Sequence, residues 1–254
     1  MKPTAIITGA SKGIGKAIAE KLALHGYNLA LISRDKEEIK RIAEKLKAQY
    51  NTTCLGFKCD IGEKNQVIKT FSKINKKLGN LEVLVNNAGI NSRQTLSTKE
   101  NLTKQEWLKD FEQKFSGWEK ELKTNLTGVY ICSYVITKYL QEGSIINISS
   151  IKGKEATSSP GYGASKAGVI KLTRDFAKAF APQIRVNCIA PGFIDCGMTT
   201  ELPEDKKLDY KKLIPLKRFG TTNEIAETTL FLASEKSSYI TGATIDVNGG
   251  YLMT

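Results

Sequence analysis

The sequence predicts an α/β fold: one doubly wound domain with a parallel seven-stranded sheet and helices on both faces. Three observations carry this. Seven short runs are rich in Ile, Val and Leu with little polar alternation, as in strands covered on both faces. Stretches with apolar residues at i, i+3 and i+4 lie between them. The alternation continues along all 254 residues without a repeat, a low-complexity tract or a linker, so residues 1–254 are expected to form one domain.

The first run, TAIIT (4–8), is followed by the helical pattern IGKAIAEKLALHG (14–26), which Gly26 terminates. NLALI (28–32) leads into KEEIKRIAEKLKAQY (36–50), and TCLGF (53–57) and LEVLV (81–85) give the third and fourth strands. An extended segment at about 91–118 then breaks the rhythm, since connections of this kind usually take ~2 to 6 residues. Within it Trp107, Phe111 and Phe115 recur at helical spacing. Such a stripe either packs onto the body or walls a substrate pocket, and the segment is expected to shape substrate choice. SIINI (144–148), IRVNCIA (184–190) and ATIDV (243–247) complete the strands, with the turn SSPG and a helix between the fifth and sixth.

Composition narrows the function. Five scattered cysteines without CxxC spacing suit reduced thiols, and no zinc site or other metal site is expected. The single histidine, His25, sits at a helix end and reads as a C-terminal cation, which leaves no triad chemistry. Net charge is +12, but Arg34, Arg41, Arg93, Arg174, Arg185 and Arg218 are the only arginines among 38 basic residues. The lysines spread along helix faces near glutamates, a solvated pattern that does not call for nucleic acid. With no leader and no apolar run of ~20 residues, the chain is expected to be cytoplasmic and free of the membrane.

Between the first strand and first helix stands Thr8-Gly9-Ala10-Ser11-Lys12-Gly13-Ile14-Gly15. Glycines there let the backbone approach a pyrophosphate, whose charge suits free N–H groups at a helix N-terminus. The second strand ends in Ser33 and Arg34 where an NAD site commonly carries a carboxylate. With Lys12 as a second cation, NADPH is preferred over NADH. The alternative for Arg34 is a surface pair with Asp35 or Glu38.

Six motifs in order resemble the short-chain dehydrogenase/reductase family, whose fold is Rossmann-like: TGASKGIG (8–15), NNAG (86–89), NLTG (125–128), INISS (146–150), YGASK (162–166) and IAPG (189–192). Within it the chain is most similar to the 3-oxoacyl-[acyl-carrier-protein] reductase type. The resemblance implies Ser150, Tyr162, Lys166 and Asn125 as the catalytic group. Tyr162 would exchange a proton with the substrate oxygen, and Lys166, four residues on along one helix face, would stabilise the phenolate and hold the nicotinamide ribose. Ser150 would donate to the substrate oxygen, and Asn125 would hold a water linking Lys166 to solvent. Strand alternation sends Ser149 and Ser150 to opposite faces, so one of them reaches the substrate, with Ser150 preferred. The cofactor would also meet Asp60, Ile61, Asn87, Ala88, Gly89, Pro191, Gly192 and Ile194. Asp60 doubles as a helix N-cap for a segment from Gly62.

One departure concerns grip on the nicotinamide: Cys196 stands where the family pattern has threonine, which leaves Ile194 or Thr199 as substitutes. Another concerns the substrate. Arginines that accompany carrier-bound substrates are absent from the ends of two helices, leaving Lys138, Lys171, Arg174 and Lys178. The expected activity is NADPH-dependent reduction of a ketone, with a 3-oxoacyl thioester first, acyl carrier protein a possible partner, and a homotetramer implied by resemblance. The alternatives are a dehydrogenase of a sugar, polyol or steroid alcohol, and a cofactor-binding regulatory protein without turnover.

Overall fold

The computed structural model describes residues 2–92 and 103–253. Its strands are β1 (Thr4–Thr8), β2 (Asn28–Ser33), β3 (Cys54–Lys58), β4 (Leu81–Asn86), β5 (Gly143–Ile148), β6 (Ile184–Pro191) and β7 (Thr244–Val247). They form one sheet in the order β3-β2-β1-β4-β5-β6-β7, and every pairing is parallel. Each coincides to about one residue with an apolar run of the sequence, and the central strands are buried along most of their length.

The helices are α1 (Gly13–Leu24), α2 (Lys36–Tyr50), α3 (Lys64–Leu78), α4 (Lys104–Glu121), α5 (Gly128–Ile136), α6 (Pro160–Phe180), α7 (Glu204–Leu213) and α8 (Thr222–Ala233). Strand alternation divides the core into two layers. Ile7, Leu31 and Val85 pack with Leu22, Ile39 and Ile225 under α1, α2 and α8. Their neighbours Ile6, Ile32 and Leu84 pack with Phe71, Ile136 and Phe176 under α3, α5 and α6. Among the described residues no helix is long and apolar enough to cross a membrane.

Side-chain caps fix several helix starts. Asp35 accepts the Glu38 N–H to open α2, and Thr103–Glu106 and Thr221–Glu224 are capping boxes for α4 and α8. The Glu224 carboxyl also takes two bonds from Arg218, which with its cap holds its pKa down at about 2. His25 ends α1 with its ring Nδ1 2.9 Å from the Lys21 carbonyl, as the sequence implied. Asp60 does not cap a helix. Glu63 is the N-cap residue of α3, while Asp60 Oδ1 accepts the Gly62 N–H at 2.9 Å and closes a tight turn.

Of the extended segment, residues 93–102 lie outside the described residues, and the rest is mostly α4. Trp107, Phe111 and Phe115 are 48%, 60% and 44% exposed, so the described residues cover this stripe only in part. Helix α4 passes directly into a π-helical turn, Leu122–Thr127, before α5. The wider turn changes the facing of the residues that follow it, a feature common at functional sites.

Candidate active site

Strand β1 lies between β2 and β4, so the chain leaves β1 toward one edge of the sheet and returns at β4 to build the other. Loops at the C-terminal ends of β1 and β4 therefore diverge and open a crevice. A cleft of about 590 Å³ occupies it. From the turn after β1 it is lined by Gly9, Ser11, Lys12, Gly13, Ile14 and Gly15; after β2 by Ser33 and Arg34; and after β3 by Asp60 and Ile61. The loop after β4 adds Asn87, Ala88 and Gly89, helix α6 adds Tyr162 and Lys166, and the end of β6 and its loop add Pro191, Gly192 and Ile194. Ser150 lines it too. A depression of about 650 Å³ near the N-terminal strand ends is a polar surface hollow between Lys2, Asn28, Glu44 and Thr52.

The glycine turn has the shape a pyrophosphate needs. Gly9 has φ +67°, and a Cβ there would fall 2.7 Å from Ala88 Cα. A methyl group on Gly15 would overlap Gly9 O and Asn87 Nδ2. Asn87 and Thr8 pin the two loops together: Asn87 Nδ2 donates to Thr8 O and Gly9 O at 3.0 and 3.1 Å, and Thr8 Oγ1 accepts from the amides of Asn87 and Ala88. No side chain caps α1, whose first turn faces the cleft. Arg34 is exposed at the cleft, and its alternative partners are engaged elsewhere, Asp35 with the start of α2 and Glu38 with Arg41 at 2.8 Å. The residues present fit a dinucleotide.

Deeper in the cleft, the end of β5 and α6 bring Ser150, Tyr162 and Lys166 together. Ser149 donates to the Lys166 carbonyl at 2.7 Å and is thereby turned into the body. Ser150 Oγ accepts the Lys152 N–H at 3.1 Å and lines the cleft with Tyr162. Lys166 lies 4% exposed, donates through Nζ to Ile148 O at 2.8 Å, and stands 5.7 Å from the Tyr162 ring centroid. Burial drives the Lys166 ammonium down to about 8. The sequence led us to expect a tyrosine lowered by this lysine. Instead burial pushes the Tyr162 phenol above its ordinary value; the Glu121 carboxylate adds to this, and the Ser150 hydroxyl opposes it. Desolvation of a phenolate thus favours the protonated phenol at Tyr162.

Asn125 does not line the cleft. It is fully buried, donates to Ile90 O at 2.8 Å and Ser165 Oγ at 3.1 Å, and accepts the Ile90 N–H at 2.8 Å. The π-helical turn aims it at the loop after β4. A Cβ on Gly89 would sit 3.4 Å from both Asn125 Oδ1 and Lys166 Nζ, so this glycine keeps open the space between them. Cys196 and Thr199 both line the cleft, and a Cβ on Gly13 would sit 3.6 Å from Cys196 Sγ, so the loop after β6 lies close to the phosphate turn. Trp107, Phe111 and Phe115 are not among the described residues that line this cleft. Sequence reasoning missed Glu121, a 2% exposed carboxylate at the end of α4 that takes two hydrogen bonds from Ser92. A glutamate four residues before a buried asparagine was the available signal, but a glutamate at a helix end ordinarily faces water.

Residues 9–252 match a family described as enoyl-(acyl carrier protein) reductase. The 3-oxoacyl-[acyl-carrier-protein] reductase of Staphylococcus epidermidis is 40% identical over 100% of both chains. That of Aquifex aeolicus is 38% identical over 96% of this chain and 95% of its own. The chain belongs to the short-chain dehydrogenase/reductase family. As a short-chain dehydrogenase/reductase it is an oxidoreductase acting on carbonyl or hydroxyl groups with a nicotinamide cofactor. A crystal structure of 3-oxoacyl-[acyl-carrier protein] reductase from Brucella melitensis shares the short-chain dehydrogenase/reductase architecture. Its TM-score is 0.85, with 28% identity over 99% of this chain and 92% of that one.

Proposed function

We propose that the chain reduces the ketone of a 3-oxoacyl thioester with NADPH. The observation that carries the reading is the convergence of the Ser150 and Tyr162 hydroxyls beside buried Lys166 at the floor of the dinucleotide cleft. A bound nicotinamide supplies hydride to the carbonyl carbon. Negative charge then develops on oxygen, where Tyr162 donates its proton and Ser150 a hydrogen bond. Lys166 supports the phenolate that remains and returns a proton to it, with Asn125 and Gly89 bounding a space for a relay water. Arg34 and Lys12 would receive the 2′-phosphate of NADPH.

Two hydroxyls directed at one oxygen suit a carbonyl better than the carbon–carbon double bond named in the family description. Exposed Lys138, Arg174 and Lys178 offer positive charge to an acidic carrier protein, while Lys171 is engaged with Asp175. Helices α5 and α6, which expose Tyr130 and Tyr134, and the edge strand β7 would join four copies in a cytoplasmic homotetramer. The test is NADPH oxidation across a panel holding acetoacetyl and crotonyl thioesters, a sugar ketone and a steroid ketone, with NADH in parallel. Turnover of the acetoacetyl thioester alone supports the reading, and turnover of another member alone overturns it.

A further inference from the structure

Glu121 is the buried charge that the reaction above leaves unused. Its carboxylate is 2% exposed, and among the described residues no cation pairs with it. One oxygen accepts both the Ser92 amide at 2.6 Å and the Ser92 hydroxyl at 2.7 Å. The other lies against Gly161, where a methyl group would overlap it and would stand 3.2 Å from Trp118 Cα. Glu121 therefore touches the loop after β4 and the first turn of α6, one residue before Tyr162. Among the described residues hydrogen bonds alone hold this carboxylate, and burying a carboxylate in that way is costly, so its place at this junction calls for a reason.

We propose that Glu121 is a positioning residue that fastens the loop after β4 to the head of the Tyr162 helix and, through its charge, keeps Tyr162 protonated as the acid for ketone reduction. Around Tyr162 stand Lys166 from α6 itself, with Nζ 5.7 Å from the ring centroid, Glu121 from α4, one of whose oxygens lies against Gly161, and Ser150 from the end of β5 in the same cleft. Lys166 favours the phenolate and Glu121 opposes it, so the pair sets the balance between donor and acceptor forms. The Glu121 effect on the phenol is upward, alongside burial. The fastening also accounts for Gly161, the residue type that permits so close an approach.

The inference rests on Tyr162 being the acid, and the experiment separates the two. In ketone reduction, activity falls as pH rises through the Tyr162 pKa. Glu121→Gln keeps the shape and an acceptor for Ser92 but removes the charge, so this alkaline limb of kcat should move to lower pH by roughly half a unit to one unit. The dissociation constant for NADPH should stay within about twofold, because Glu121 does not touch the cleft. Glu121→Asp keeps the charge but shortens the reach to Ser92; it should raise KM with the alkaline limb near its original place. An unmoved limb in soluble, folded Glu121→Gln, with Tyr162→Phe inactive, overturns this inference alone. If Tyr162→Phe is as active as the parent, the function reading fails as well. Should Glu121→Gln not fold, Ser92→Ala, which leaves the charge in place and removes one bond, must raise KM without moving the limb; unchanged KM overturns the fastening.

Discussion

The Ser149 hydroxyl donates to the backbone carbonyl of Lys166 at 2.7 Å, while the hydroxyl of its neighbour Ser150 accepts the Lys152 N–H and lines the cleft with Tyr162. Adjacent serines thus divide structure from chemistry. Ser150→Ala should lower kcat by roughly a hundredfold with little change in melting temperature. Ser149→Ala should instead destabilise the protein by about 1 kcal/mol, since a buried hydrogen bond is lost. Steady-state kinetics and thermal unfolding of both variants check this, and reversed phenotypes would mean that Ser149 faces the substrate.

Tyr162→Phe removes the proposed proton donor without altering the shape of the cleft. Turnover should fall by about a thousandfold or more, while NADPH still quenches intrinsic fluorescence with near-parental affinity.

Arg34 carries the cofactor argument because Asp35 and Glu38 are occupied elsewhere. Arg34→Ala should weaken NADPH binding by roughly tenfold to a hundredfold, the value of one charge-assisted contact, and change NADH binding by less than about threefold. Titration calorimetry with each cofactor reads the difference directly. Equal losses would place Arg34 outside the 2′-phosphate site.

Lys166 has a stability consequence with a definite sign. Its folded value of about 8 lies below the ordinary 10.5. Between those values the unfolded chain holds more protons than the folded one, so stability rises with pH across about 8 to 10.5. Below pH 8 the full cost of the buried ammonium is present. Lys166→Met should therefore melt higher than the parent at pH 7, with the advantage shrinking as pH approaches 10. Melting curves of the protein without cofactor, recorded from pH 7 to 10, test it.

Tyr134 is 57% exposed and stacks beside Tyr130 on the outer face of α5. If four copies assemble through α5 and α6, Tyr134→Glu should reduce the mass seen by light scattering, and an unchanged mass would exclude this face.

Strand β1 and helix α2 were legible almost to the residue, because TAIIT declares its burial as an unbroken run and KEEIKRIAEKLKAQY through its helical period. The cleft was legible for a related reason: its residues follow strand ends, and strand order fixes where those ends gather. What local pattern cannot carry is tertiary environment. The π-helical turn at Leu122–Thr127 reads as ordinary helix, yet it determines where Asn125 points. The direction of the Tyr162 shift depends on how much chain covers the phenol and on Glu121, brought from another helix. The stripe of Trp107, Phe111 and Phe115 announces a helix without saying what its apolar face meets, and Asp60 spends its cap on a turn that the helix start at Lys64 leaves free.

The position of β1 between β2 and β4 also bears on how the chain is made. Ile6 pairs with Ala30, which follows it after one helix, and with Leu84, which leaves the ribosome much later. Until then β1 has an unpaired apolar edge, and distant pairings of this kind are slow and open to aggregation. The cofactor crevice straddles the same seam, so a dinucleotide bridging the loops after β1 and β4 would bind only the joined state and hold it closed. Nascent chains should accordingly reach the native state in better yield where the nicotinamide pool is full.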